Sequence, residues 1–203
     1  RSKDGVLFAL HDNNLQRTTD VATRFPDRKD SPANAFTMAE LKTLDAGSWF
    51  NTAYPERARP SYAGLKILTL DEIIDIAQGN PLHKPGLYIE TKEPKQFPGI
   101  ESDLKDKLQD RGWLSPAGSK LAKSDLAVGQ GKGKVVLQTF EKSSLELLEK
   151  EMPKVPKILL LWVGEGSIEP KSKVTFAESG DKDKATYYAK QEPKDKAEFQ
   201  QWV

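Results

Sequence analysis

Cysteine is absent from the 203 residues, so disulfides and thiolate metal sites are excluded, and any metal must sit on oxygen or histidine ligands. Histidine is nearly absent: there are two, His11 and His83. Neither sign of charge is in excess, because 31 basic against 30 acidic side chains leave +1. That balance offers no general field for a polyanion, so nucleic acid is not an expected partner and phosphate recognition must be local. Long apolar runs are missing too. The longest candidate, 158–163, is far below the ~20 residues that span a bilayer, so no integral membrane segment is expected. The chain also lacks an initiator methionine and a signal-like start. It opens on Arg1-Ser2-Lys3-Asp4-Gly5, a turn that reads as following something, so processing or truncation is expected.

What is present is a set of short buried-strand patterns. Residues 6–10 (VLFAL) form a continuous apolar run of strand length, preceded by Asp4-Gly5 and ended by His11-Asp12-Asn13-Asn14. Such a run predicts a strand buried on both faces, as in a parallel sheet. Residues 86–91 (GLYIET), 134–139 (KVVLQT) and 157–163 (KILLLWV) repeat the pattern.

Helical patterns lie between these runs. Thr37-Met38-Ala39-Glu40 and Thr69-Leu70-Asp71-Glu72 each match the capping box, in which side chains satisfy the first free backbone N–H groups. Leu70, Ile73, Ile74 and Ala77 follow the second box at helical spacing, and Ile100, Leu104 and Leu108 repeat it ahead of Gly112. Residues 143–152 form another such pattern. Strands alternating with helices, without hairpin dipeptides, predict βα units around a parallel sheet, either a (β/α) barrel or a doubly wound sheet. Four strands and 203 residues fall short of the eight strands and ~250 residues of a closed barrel, so pieces of that fold are expected to be missing. One short helix is expected within the long polar stretch 13–68, where Pro26, Pro32, Pro55 and Pro60 are scattered. Residues 164–198 are polar and Lys/Asp-rich, with helix potential over 184–191.

Functional groups in such folds collect at the carboxyl ends of strands. There the sequence places His11-Asp12, Glu90-Thr91-Lys92, Gln138-Thr139 and Trp162. His11 suits proton transfer, since imidazole titrates near pH 6.5 when unperturbed. The alternative is a histidine bonded to Asp12 or a loop carbonyl for structural reasons. His83, in a proline-flanked turn, reads as exposed loop. Glu90 ends a buried strand and needs a cation. Either Lys92 pairs with it, or Glu90 holds a hard metal ion while Lys92 meets a phosphate oxygen. Oxygen ligation suits Ca²⁺ or Mg²⁺. The glycine-rich 129–133 precedes a strand rather than opening a helix, so it reads as a turn and not a phosphate cradle.

Taken in order, Lys3-Asp4-Gly5, an apolar strand, His11-Asp12 and Leu15-x-Arg17-Thr18-Thr19-Asp20 resemble the second catalytic-histidine segment of glycerophosphodiester phosphodiesterases. The resemblance continues through Leu41-Lys42-x-Leu44-Asp45-Ala46-Gly47-Ser48-Trp49-Phe50, Leu68-Thr69-Leu70-Asp71-Glu72 and Tyr88-Ile89-Glu90-Thr91-Lys92. It ends weakly at Gln138-Thr139-Phe140. Residues 20–28 (DVATRFPDR) resemble the periplasmic, broad-specificity branch, which implies a periplasmic or secreted location.

The resemblance implies a single (β/α)₈ TIM-barrel-type catalytic domain over 1–203, here an incomplete barrel, with 13–68 as a small insertion after the strand ending at His11. The insertion caps the active-site mouth and helps receive the glycerol end. The implied activity is metal-dependent hydrolysis of a small-molecule glycerophosphodiester to sn-glycerol 3-phosphate and an alcohol. His11 corresponds to one of two acid–base histidines, Glu90 to one of three carboxylates on a divalent cation, Ca²⁺ or Mg²⁺, and Lys92 to a lysine near the phosphate. The family's His-Arg-Gly segment and Glu-x-Asp pair belong ahead of Lys3, where the chain has Arg1 and Ser2. A polypeptide starting there is expected to bind metal poorly and not to turn over substrate. The alternative is a non-catalytic or inactive form of the fold acting as a binding module. The sequence allows a homo-oligomer without specifying one.

Overall fold

A computed structural model describes residues 1–79, 82, 85–114, 135–160, 176–191 and 193–202. They fall into two compact units, Arg1–Leu87 and Tyr88–Val203.

The first unit begins with a turn through Gly5, in the left-handed region at φ +85°. Ser2 donates its hydroxyl to Asp4 at 2.6 Å, and the same Asp4 oxygen accepts the Met38 N–H at 2.9 Å, tying the start of the chain to a helix 34 residues on. The run 6–10, expected as a strand buried on both faces, is half-buried and pairs through an isolated antiparallel bridge, Phe8 with Thr69. Ala9 N–H donates to the Leu68 carbonyl and Leu70 N–H to the Leu7 carbonyl, each at 2.9 Å. The neighbour is therefore the segment around Leu68 and Thr69, arriving antiparallel. Val6, Phe8 and Leu10 pack against a core of Leu15, Val21, Ala33, Phe36, Met38, Leu41, Leu44 and Ile67.

That core is built almost wholly from residues 13–68, which hold more helix than their sequence predicts. Helices α1 (Val21–Arg24), α2 (Met38–Thr43) and α3 (Ser48–Ala53) alternate with 3₁₀ turns at Pro26–Arg28, Ala33–Ala35, Pro55–Arg57 and Pro60–Tyr62. Pro26, Pro55 and Pro60 each sit in the first turn of such a piece. The missing N–H of proline is harmless there and its fixed φ suits the turn, so residues expected to mark loop instead start short helices. Helix α2 is capped by Thr37, and α4 (Leu70–Gln78) by Thr69. In both, the two reciprocal hydrogen bonds of the capping box are formed with Glu40 and Glu72. Lys42 ion-pairs with Glu72, linking α2 to α4.

Strand β1 (Leu87–Glu90) leads into the second unit, which continues with α5 (Ile100–Asp110), β2 (Val135–Thr139), α6 (Lys142–Glu151), β3 (Lys157–Leu159), α7 (Phe176–Ser179), α8 (Lys184–Ala189) and α9 (Lys196–Trp202). The sheet runs β1-β2-β3, with β2 and β3 parallel in the register Leu137 to Lys157, Gln138 to Ile158 and Thr139 to Leu159. Helix α6 connects those two strands and packs on both, and on α5. Val135, Leu137 and Thr139 are buried while Val136 and Gln138 are half-buried, the period-two alternation of a strand whose faces differ. Leu104 and Leu108 of α5 and Leu148 of α6 are buried with Trp113, matching the helical spacing in the sequence. The last part of the 157–163 run lies outside the described residues.

Candidate active site

Leu15, fully buried in the first unit's core, anchors the loop that leaves the 6–10 segment. The Asn13 carbonyl accepts the Ala33 N–H at 2.9 Å, and Asn14 bridges to Pro32, so insertion backbone supports the loop from its far side. His11 stands out from it with 79% of its side chain exposed. Its Nδ1 lies 2.8 Å from Asp12 Oδ1. An ionised carboxylate only accepts, so Nδ1 carries the proton in this contact and Nε2 is left as the free ring nitrogen. The reading of His11 as bonded to Asp12 is thus met, and that bond leaves Nε2 open.

Asp12 is itself held from a second side. Arg17 Nε donates to Asp12 Oδ2 at 2.6 Å and Nη2 to Oδ1 at 2.7 Å, a two-pronged contact. Arg17 foremost, with His11, holds the Asp12 carboxyl well below the usual carboxylate range against the opposing effect of burial. The Arg17 guanidinium also lies 5.2 Å from the ring centre of Trp49. Trp49 stacks edge-on with Phe50, which meets Tyr54 and Tyr62, and Arg57 lies over Phe50 and Tyr54.

This aromatic cluster is set by the turn before α3. Asp45 accepts from the N–H groups of Gly47, Ser48 and Gly64 and from the Ser48 hydroxyl, at 2.6 to 3.0 Å. Those donors, led by Ser48, hold its carboxyl well below the usual range. Sequence alone marks Asp45 and Trp49 as part of a motif, and the structure assigns them work: Asp45 gathers the turn that presents Trp49, and the Trp49 indole donates to the Ala46 carbonyl at 2.9 Å.

Glu90 and Lys92 belong to the second unit. Glu90 Oε2 accepts from Gln138 Nε2 at 3.3 Å, joining the ends of β1 and β2, while Glu90 Oε1 is buried and has no hydrogen-bond partner among the described residues. A buried, unpartnered carboxylate oxygen is costly unless a cation meets it. Lys92 does not supply that cation. Among the described residues it makes no ion pair, with Glu90 or any other, and its Nζ lies 5.6 Å from the ring centre of Phe140. The chain turns sharply just beyond, at Glu93, the one described non-glycine residue with positive φ, at 49°. Behind the strand end, Thr91 faces the helices. Ser144 donates to the buried Glu101 at 2.6 Å, and having spent its hydrogen there it accepts from Thr91 at 3.0 Å.

Glu90 therefore fits one oxygen position on a hard divalent cation, while among the described residues no three His, Asp or Glu side chains gather into a metal-holding group. His83, 129–133 and Trp162 lie outside the described residues. No helix among the described residues is long and apolar enough to cross a membrane.

Comparison with known proteins agrees with the resemblance carried by these motifs. A family model described as the glycerophosphoryl diester phosphodiesterase family matches residues 1–179. A Bacillus subtilis (strain 168) protein named glycerophosphodiester phosphodiesterase is 39% identical over 160 residues, 79% of this chain and 46% of the relative. An Arabidopsis thaliana protein of the same name is 41% identical over 106 residues, 46% of this chain and 27% of the relative. The chain thus spans about half the length, or less, of these curated relatives. A solved structure from Silicibacter pomeroyi DSS-3, assigned as a glycerophosphoryl diester phosphodiesterase, superposes with a TM-score of 0.55 at 17% identity, over 79% of this chain and 52% of that one. The fold is of the (β/α) barrel type expected from the sequence, carried here as part of its parallel sheet with helices.

Proposed function

Since the chain belongs to the glycerophosphoryl diester phosphodiesterase family, we propose that the protein hydrolyses glycerophosphodiesters to sn-glycerol 3-phosphate and an alcohol with the help of a divalent cation, Ca²⁺ or Mg²⁺. The observation that carries the reading is Glu90 Oε1, a buried carboxylate oxygen without a hydrogen-bond partner among the described residues, two residues from a lysine that makes no ion pair among them.

In this reading Glu90 supplies one of the oxygen ligands of the cation. The cation, when bound, neutralises phosphate charge and makes an attacking hydroxyl more acidic. Lys92 holds a phosphoryl oxygen by charge-assisted hydrogen bonding, strongest as negative charge builds up during transfer. His11 moves a proton at Nε2, taking it from the attacking oxygen or giving it to the departing alcohol oxygen. Overall one water is consumed and the phosphorus–oxygen bond to the alcohol is broken. The insertion receives the glycerol end. A periplasmic or secreted setting is part of the proposal, on the likeness of residues 20–28 to that branch.

A second reading is a binding module of the same fold without turnover, favoured by the finding that among the described residues no three His, Asp or Glu side chains gather to hold a metal ion. Calorimetric titration with Ca²⁺ and with Mg²⁺, on wild type and Glu90→Gln, together with a glycerophosphocholine assay, separates the two. Cation binding lost in Glu90→Gln and turnover lost in chelator support the hydrolase. Cation binding without turnover supports the module, and binding unchanged in Glu90→Gln removes Glu90 as a ligand.

A further inference from the structure

We propose that Arg17 is a positioning residue for His11: by gripping Asp12 in a two-pronged contact while lying on Trp49, it holds the imidazole in the Nδ1–H tautomer and leaves Nε2 free to exchange the reacting proton. The inference rests on the reading of His11 as the acid–base group.

The geometry makes the arrangement a chain of fixed steps. An exposed histidine on a loop ordinarily rotates and samples both tautomers. Here Asp12 Oδ1 meets Nδ1 at 2.8 Å, so the question becomes what holds Asp12. One short aspartate side chain on the same loop is a weak support by itself, since its carboxylate turns about its own bonds. Arg17 removes that freedom. Its Nε and Nη2 reach both oxygens at 2.6 and 2.7 Å, fixing the plane of the carboxylate, which a single-point contact does not do. Oδ1 is shared by Arg17 and His11, so the grip and the imidazole contact are aligned on one atom.

Arg17 would be as loose as Asp12 if the ion pair were its only contact, because both are partly exposed. The ring of Trp49 lies under the guanidinium at 5.2 Å, and Trp49 is fixed by its bond to the Ala46 carbonyl and by contact with Phe50. The aromatic cluster of the insertion is thereby coupled to the orientation of His11. A lysine at position 17 has neither the planar fork nor the flat face for the indole, so it is expected to fail in both contacts.

The test reads the imidazole directly. In the 203-residue chain the two histidines give two sets of ring nitrogen signals in long-range ¹H–¹⁵N spectra, and His83→Gln assigns them. At a pH where the imidazole is neutral, His11 of the wild type is expected to show one protonated and one unprotonated nitrogen, with Nδ1 protonated. In Arg17→Gln and Arg17→Lys the two shifts should move toward each other as both tautomers become populated. Trp49→Leu should move them part of the way. In active protein, Arg17→Gln should lower kcat roughly ten- to a hundredfold with KM little changed, less than the ~10²–10⁴-fold of losing an acid–base group. Averaged His11 signals in the wild type, or an unchanged pattern in a folded Arg17→Gln, overturn the proposal. If the Arg17 variants do not fold, the wild-type pattern and Trp49→Leu decide it. A fixed Nδ1–H tautomer in a protein that turns over no substrate counts against the functional reading alone.

Discussion

Gly47 is the most closely approached of the described glycines, and Gly47→Ala tests how the aromatic cluster of residues 49–62 is held. The backbone there is at φ −114°, which any residue adopts, so conformation does not call for glycine. Space does. A Cβ on Gly47 would lie 1.8 Å from the Tyr62 carbonyl oxygen, 2.9 Å from the Tyr62 carbonyl carbon and 2.9 Å from Leu65 Cβ. Two of those atoms are backbone and cannot swing aside. Relief requires the 3₁₀ turn Pro60–Tyr62 to move away from α3, and that movement pulls on Asp45, which bonds Gly47 and Ser48 on one side and Gly64 on the other. Overpacking alone costs about 1–3 kcal/mol, and a strained bond to a charged acceptor adds ~1 kcal/mol or more. A loss of roughly 2–4 kcal/mol follows, or a fall in Tm on the order of 4–16 °C for a chain of this size. Gly64→Ala is the control, since its φ of +79° strains an alanine but no atom stands within 4 Å. It should cost only about 1–2 kcal/mol. Thermal and urea unfolding of both variants measure the difference. A Gly47→Ala protein as stable as wild type, or less affected than Gly64→Ala, refutes the close approach.

Asp45→Asn should destabilise the first unit at neutral pH by about 2 kcal/mol, measured by urea unfolding. The Asp45 carboxyl is held below its unfolded value, so its contribution is present above pH ~4 and disappears as pH falls through the folded value. Wild type and variant should therefore converge in acid, and a gap that persists there contradicts the assignment. Ser144→Ala should cost about 2–3 kcal/mol in the second unit, because it strands buried Glu101 and leaves Thr91 without its acceptor. Lys92→Met should lower kcat/KM by roughly 10²-fold while leaving the melting temperature within a few degrees, since Lys92 makes no ion pair among the described residues.

The parts of this fold that are local in origin were legible beforehand. Thr37 and Thr69 start helices because a capping box is completed within four residues, and both boxes formed. Leu104 and Leu108 turned inward as their spacing requires. Residues 13–68 are less legible, because their prolines mark either loops or first helical turns, and only the distant core of Leu15, Phe36 and Ile67 decides between them. The 6–10 run differs from its expected doubly buried strand for a related reason. Its apolar character says that it is buried, not which neighbour arrives or in which direction. His11, Glu90 and Lys92 stand out by residue type at strand ends. Arg17 does not, since its effect depends on a carboxylate five residues away and an indole further along. The open oxygen of Glu90 is likewise a fact of packing, visible only once Gln138 is seen to take the other one.

The proposed hydrolysis depends on His11 and on a divalent cation. Release of sn-glycerol 3-phosphate from glycerophosphocholine by the full-length protein, with Ca²⁺ or Mg²⁺ and with chelator, alongside His11→Ala, tests it most directly. Turnover should be abolished by chelator and lowered ~10²–10⁴-fold in His11→Ala. Turnover undiminished in His11→Ala, or unaffected by chelator, would contradict it.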